Sequence, residues 1–438
     1  ELKKNTGDER RRAHDINTAC WIPDLFMQRL REKKDWTFFC PSDVSDLHDL
    51  YGKDFQKRYE YYESLNLPRA KTINSFDLWR KMLTMLFETG HPWFTFKDPI
   101  NLRSPQDHVG VVHSSNLCTE ITLNTSSNET AVCNLGSINL GQMVENGQLN
   151  EEKIAKTVRS GIRMLDNVID NNYYPTEESK YANLKHRAVG LGMMGYQDAL
   201  YQLNITFDTE ENLNFADRSM EMVSYYAILA SSELAKDRGV YETFKGSKWD
   251  RGILPYDTLA ILEEHRGEAL DVDKQTTMDW TTVRNHIAQH GMRNSNTMAI
   301  APTATIANIA GVYPCAEPAF KNIYMKENLS GNFIVINVYL VEALSNEGLW
   351  TPQMLKQIKL HNGSIQEIPE IPSEIRSLFK ETFDIDMAWI IKAAARRGKW
   401  IDQSASTNIF VNSTSGKYLN DIYKPFESKF HCNVNFYL

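Results

Sequence analysis

Short apolar runs alternate with longer amphipathic patterns along most of this chain, and that alternation restricts the fold more than any other property of the sequence. The runs Trp93–Phe96, Val109–Val112, Leu117–Leu123, Thr297–Ala301 and Thr407–Val411 are rich in β-branched and aromatic residues and read as strands. A helix is expected over 75–88, with Ser75 as its cap and Gly90 just beyond its end. Another is expected over 151–170, where Ile154, Val158, Ile162, Leu165 and Ile169 recur at helical spacing. Further helical patterns cover 209–238, 277–290, 352–360 and 386–397, and Gly239, Gly291 and Gly398 close three of them. The pattern predicts an α/β fold around a largely parallel sheet, open or closed as a barrel. Active residues in such folds gather at the carboxyl ends of strands and in the loops that follow.

Composition narrows the function classes. A hydrophobic fraction of 42% supports a substantial core and argues against global disorder. A net charge of −8 argues against a nucleic-acid-coating surface, which needs clustered Lys and Arg. No apolar run approaches the roughly 18 residues that would suggest a membrane span. Cys20, Cys40, Cys118, Cys133, Cys315 and Cys432 are scattered without a Cys-x-x-Cys pair. That spacing suggests neither a zinc site nor a secreted disulfide framework, and it fits a reducing, cytoplasmic setting. The opening Glu1-Leu2-Lys3 is neither a signal peptide nor a start methionine, so the chain is expected to begin inside a longer protein.

The chemistry concentrates at Ser114-Ser115-Asn116-Leu117-Cys118-Thr119-Glu120-Ile121, with Cys133-Asn134-Leu135-Gly136 a short loop away. If 117–121 is a strand, Cys118 and Glu120 share a face, because side chains alternate with period 2. Most free cysteines are simply small buried hydrophobes, but the polar flank, the carboxylate and the second thiol favour a reactive role. A second constellation runs from Arg293-Asn294-Ser295 through the apolar run to Pro302-Thr303-Ala304-Thr305-Ile306. It would present free amides and hydroxyls to phosphate, unless Thr303 or Thr305 merely caps the next helix. A third, Gly190 to Gly195, formally matches a dinucleotide fingerprint, yet no acidic ribose partner follows a clear second strand, so a packing turn is the better reading. A fourth, Gly398 to Asn408, could line a pocket or could be a helix cap and surface turn.

Taken in order, these segments resemble the catalytic large subunit of class I ribonucleoside-diphosphate reductases, in a bacterial form. Glu317-Pro318 and Ser330-Gly331-Asn332-Phe333 extend the resemblance, which runs from about residue 1 to about residue 423. It implies a ten-stranded α/β barrel, incomplete at its amino-terminal side, with the reactive Cys on a loop threaded into its centre. Residues 1–423 would be the barrel core, without its first strands or the effector-binding module, and 424–438 a divergent, truncated tail. By resemblance Cys118 is the thiyl radical, Glu120 the base for the 3′-hydroxyl and Cys133 one of two reducing thiols. Asn116 and Ser115 contact substrate, Pro302, Thr303, Ala304, Thr305 and Ile306 bind its phosphates, and Tyr437 is at best a remnant of the radical relay.

The implied reaction is reduction of ribonucleoside diphosphates to 2′-deoxyribonucleoside diphosphates. The implied partners are a metal-containing, radical-generating small subunit, a thioredoxin- or glutaredoxin-type reductant, nucleotide effectors and a second copy in the full-length form. Neither a membrane nor nucleic acid is implied, and no cofactor or metal is expected on this chain itself. The second reducing Cys, the paired tyrosines and a carboxyl-terminal Cys pair find no counterpart here. A fragment inactive on its own is therefore expected. The alternative is a non-catalytic remnant that binds nucleotide or a partner; a cobalamin-dependent reductase fits the Leu-Cys-Thr-Glu-Ile motif less well.

Overall fold

The computed structural model describes residues 7–12, 14–328, 331–413 and 415–423, together with the backbone of 434–437. Ser330, most of the 424–438 tail and the side chain of Tyr437 lie outside the described residues. Six strands matter for the site: β1 (Ala19–Ile22), β2 (Trp93–Phe96), β3 (Leu135–Asn139), β4 (Gly190–Met194), β5 (Ala405–Asn408) and β6 (Val434–Tyr437). Parallel pairs join β1 to β2, β3 to β4 and β5 to β6, and β6 meets β2 antiparallel at Phe436 and Phe94. The extended segment 297–301 fills the gap between β4 and β5, bridging Leu191 through Met298 and Ala405 through Ile300, both in parallel sense. Among the described residues these segments form one open arc of mixed α/β structure, parallel within each half and antiparallel where the halves meet.

The helices follow the capping chemistry closely. Ser75–Thr89 is α1, capped by the Asn74 side chain rather than by Ser75, and Gly90 ends it in the left-handed conformation at φ 67°. The amphipathic helix α2 (Glu151–Asn171) turns Ile154, Val158, Ile162 and Ile169 fully inward. It packs on the long α3 (Glu210–Arg238), capped by Thr209. The 277–290 pattern begins only at Trp280, because Asp279 caps it. Pro352–Leu360 agrees with expectation, and α4 (Met387–Gly398) ends on the glycine expected to close it.

The strand expectations fared less well. Val109–Val112 is not a strand: Val109 ends a turn, its N donating to Gln106 O at 3.1 Å, and Asn101 takes the place of a neighbouring strand at Val112, its Oδ1 accepting from Val112 N at 2.8 Å and its Nδ2 donating to Val112 O at 3.0 Å. Leu117–Leu123 is not a strand either; it opens as a turn, with Thr119 N donating to Asn116 O at 3.0 Å. The last run is displaced, forming Ala405–Asn408 instead of 407–411. The glycine-rich segment is strand β4, which turns at Gly195 (φ 68°) into the helix Tyr196–Leu203, and its glycines serve packing. A Cβ at Gly192 would stand 2.5 Å from Ala299 O, and the Gly195 amide donates to Tyr313 O at 2.8 Å. That bond leaves the amide no role in cradling a pyrophosphate.

Candidate active site

Cys118 sits on a turn between β2 and β3, and hydrogen bonds define the turn rung by rung. Ser115 Oγ donates to Ile121 O at 2.6 Å, and Ile121 N donates to Asn116 Oδ1 at 3.2 Å. Thr119 follows the thiol at φ 61°, a strained conformation for a β-branched residue, with its hydroxyl donating to Cys118 O at 2.8 Å. Cys118 and Glu120 therefore meet through a left-handed turn and not through strand alternation, which corrects the period-2 expectation. Asn116 Nδ2 donates to Glu120 Oε2 at 2.9 Å, so the amide aims the carboxylate.

The carboxylate is only 3% exposed, and burial holds its pKa above the usual range, partly offset by the Asn116 bond. Burial likewise raises the Cys118 thiol, with further upward contributions from Glu120 and then Cys133. Cys133 keeps exposed surface, yet surrounding protein and then the Glu120 charge raise its thiol too. The two thiols and the carboxylate thus share one electrostatic neighbourhood. Asn134, next to Cys133, is fixed by bonds of 2.8 Å to Asn183 Oδ1 and to Ala188 O, which seats the thiol at the entry to β3. A cavity of about 290 Å³ borders the turn, lined in part by Trp21, Trp93, Ser115, Asn116 and Thr119.

Segments distant in sequence hold this turn in place. Ser404 N donates to Glu120 O at 3.0 Å, and Gln403 Oε1 accepts from Thr122 N at 3.3 Å. Gln403 Nε2 donates to Val189 O at 3.0 Å, so one buried amide ties the turn to the start of β4. Gly398 to Asn408 is therefore not a surface turn: Gln403 and Ser404 are buried and bonded to the segment that carries Cys118. Their signal was a polar run leading into a strand, visible but ambiguous.

The Pro302-Thr303-Ala304-Thr305-Ile306 loop is close in connectivity. Ser404 O accepts from Ile300 N at 3.1 Å, two residues before Pro302. Thr303 adopts φ 54° and its Oγ1 accepts from Cys315 N at 2.7 Å, so it does not cap the following helix. Thr305 occupies the cap position of the short helix Ile306–Ala310 without a side-chain capping bond. Glu317, prominent in sequence only as Glu317-Pro318, is buried, accepts from Asn408 N at 2.7 Å and from Asn408 Nδ2 at 2.8 Å, and is pushed up to about 6 by burial. Among the described residues no cluster of three or more His, Cys, Asp or Glu could hold a metal ion, and no helix is long and apolar enough to cross a membrane.

Comparison with known proteins decides the family. Residues 1–425 match the model of the ribonucleotide reductase barrel domain. The chain belongs to that family. It is 54% identical over 428 residues to the ribonucleoside-diphosphate reductase subunit alpha of Chlamydia muridarum, covering 97% of this chain and 41% of that protein. The Chlamydia trachomatis subunit alpha is 55% identical with the same coverage. The large chain of Schizosaccharomyces pombe is 38% identical over 415 residues, 95% of this chain and 50% of the relative. As a barrel-domain member, the chain thus spans two fifths to one half of the length of these relatives.

Proposed function

We propose that this chain is the catalytic barrel portion of a class I ribonucleoside-diphosphate reductase large subunit, with Cys118 as the hydrogen-abstracting group. The observation that carries this is the geometry of the turn: Asn116 Nδ2 holds Glu120 Oε2 at 2.9 Å on the same hydrogen-bonded turn as Cys118, and the direction of the Cys118 pKa agrees with it. Nucleophilic cysteines work as thiolates and sit where their pKa is lowered. Here burial, Glu120 and Cys133 all raise it, so the sulfur keeps its hydrogen at neutral pH. A thiol that keeps its hydrogen suits hydrogen-atom exchange with a sugar C–H bond.

In the proposed reaction the Cys118 thiyl radical takes the 3′ hydrogen, leaving a carbon radical, while the Glu120 carboxylate accepts the 3′-hydroxyl proton. The 2′-hydroxyl departs as water. Cys133 and a second thiol, lying outside this chain, supply two electrons and two protons and end as a disulfide. Cys118 then returns a hydrogen to the 3′ carbon. Asn116 and Ser115 orient the substrate hydroxyls, and the 302–306 loop binds the diphosphate, since its amides precede the first turn-closing donor, Ala307 N to Thr303 O. The radical comes from a metal-containing small subunit, with Tyr437 a relay remnant, and a thioredoxin- or glutaredoxin-type protein restores the dithiol.

The same reading extends the open arc to a ten-stranded barrel in the whole protein, residues 1–423 contributing its core and 424–438 a tail. It also supplies a second copy and nucleotide effectors in the full-length form. The two parallel halves meeting antiparallel at β2 and β6 support it. The test is turnover of a ribonucleoside diphosphate with a radical-generating subunit and a dithiol reductant. The chain alone is expected to give none, and complementation with the flanking portions of a full-length relative is expected to give deoxynucleotide. Cys118→Ser should reduce that product to background; undiminished product from Cys118→Ser would refute the assignment.

A further inference from the structure

The segment that carries Cys118 is closed at its neck by residues that no step of the proposed reaction uses. Thr125 N donates to Val111 O at 3.2 Å. His113 Nδ1 lies 2.8 Å from Thr125 Oγ1, and His113 Nε2 lies 2.8 Å from Asp49 Oδ1. The imidazole thus spans from one arm of the loop to the other and is tethered to a different part of the chain. Its ring also stacks on His48, with centroids 4.2 Å apart and planes 12° apart. Val112, immediately before it, is the residue that Asn101 clamps from both sides. Above the neck come the Ser115–Ile121 and Asn116–Ile121 rungs, and then the turn with Cys118 at its tip.

The chemistry of the partners fixes how His113 bridges. The Asp49 carboxylate only accepts, so in the neutral ring Nε2 carries the proton and Nδ1 accepts from the Thr125 hydroxyl. If the ring gains a proton, Nδ1 donates and the hydroxyl accepts instead, so the bridge holds in both states. His48 covers one face of the ring, and burial, then the His113 charge, pushes its pKa down, with Lys97 adding to the effect and Asp49 opposing it. A neutral His48 lies against His113 without repelling it.

We propose that His113, tethered by Asp49, is a positioning residue that sets the neck of the Cys118 turn and so places the thiol against Glu120 and Cys133. The inference rests on the reading of Cys118 as the reacting thiol. It gives His113 no contact with substrate. His113 acts through two rungs and the turn.

Two measurements on the 438-residue chain test it without substrate. In His113→Ala, amide hydrogen exchange should accelerate about fivefold across 111–125, the effect of about one net hydrogen bond on a local opening. Exchange in α3 should stay as it was. The pH profile of Cys118 alkylation, followed by peptide mass, should move down towards that of an ordinary thiol as the turn opens. Asp49→Ala, at an exposed position, should reproduce both effects with little risk to the fold, and His113→Gln, which keeps an N–H donor for Asp49, should restore much of both. Unchanged exchange over 111–125 in both alanine variants would overturn the proposal. So would acceleration over the whole chain, or faster exchange with an unmoved Cys118 profile. Neither readout involves turnover, so this proposal and the reductase assignment can fail separately.

Discussion

Asn116 touches both ends of the turn that carries Cys118, accepting from the Ile121 amide and donating to Glu120. Burial raises the Glu120 pKa and the Asn116 bond lowers it, with burial the stronger of the two. Removing the amide takes away the larger of the two bonds that oppose burial and leaves only a backbone bond. In Asn116→Ala the Glu120 titration midpoint, followed by carbon NMR of its carboxyl, should therefore move up, leaving less ionised carboxylate at a given mildly acidic pH. A midpoint that stays or falls would show that Asn116 does not bond to the ionised carboxylate. At this scale the residue types were legible: a thiol, a carboxylate two positions on and a second thiol. Their geometry was not, because a two-residue spacing brings side chains together in a strand and, equally, in a turn. Only the positive φ at Thr119 separates these, and nothing in a threonine announces it.

Segment 297–301 approaches β4 so closely that the backbone itself is the contact surface. Leu191 N donates to Thr297 O at 2.8 Å and Ala299 N to Leu191 O at 3.2 Å, while a Cβ on Gly192 would meet Ala299 O and, at 3.0 Å, Ile300 Cα. Neither obstacle is a flexible side-chain tip. Gly192→Ala should thus cost about 3 kcal/mol by forcing apart elements bonded to the Gln403–Ser404 anchor of the Cys118 turn. Thermal unfolding of the variant measures this, and an unchanged midpoint would mean the sheet yields there easily. Helices were legible at the element scale through their apolar spacing and closing glycines, which are local signals, while the caps Asn74 and Asp279 shifted two starts from where the pattern put them. Strands were less so. The runs at 109–112 and 117–123 have strand-like composition, but their backbone groups bond to Asn101, Gln403 and the turn, partners fixed only by the tertiary fold.

Across the whole molecule, buried carboxylates join segments far apart in sequence, and they link stability to pH. Asp402 accepts from Thr297 N at 2.8 Å, Thr297 Oγ1 at 2.7 Å and Met298 N at 3.1 Å, tying the residues before β5 to the 297–301 segment. Glu381 similarly accepts from Asn322 N at 2.6 Å. Burial raises Asp402 to about 6 and Glu381 to about 7. A carboxylate with a raised folded-state pKa favours folding below its unfolded pKa and loses that contribution as pH rises through the folded value. Histidines work in the opposite sense: burial lowers His186 and His265, so folding loses ground as pH falls below their unfolded pKa. The total slope therefore mixes both, and a single substitution isolates one. Relative to the parent chain, Asp402→Asn should gain stability as pH rises from about 4 to about 7. The gain should reach about 3 kcal/mol, because each tenfold change in proton affinity between the folded and unfolded chain is worth roughly 1.4 kcal/mol. The amide offers one acceptor where the carboxylate offers two, so the variant starts from a lower stability at acidic pH, and the change with pH is the signature. Denaturant unfolding at several pH values reads it directly. A difference independent of pH would mean that Asp402 ionises in the folded chain as readily as in the unfolded one, and that its three donors outweigh its burial.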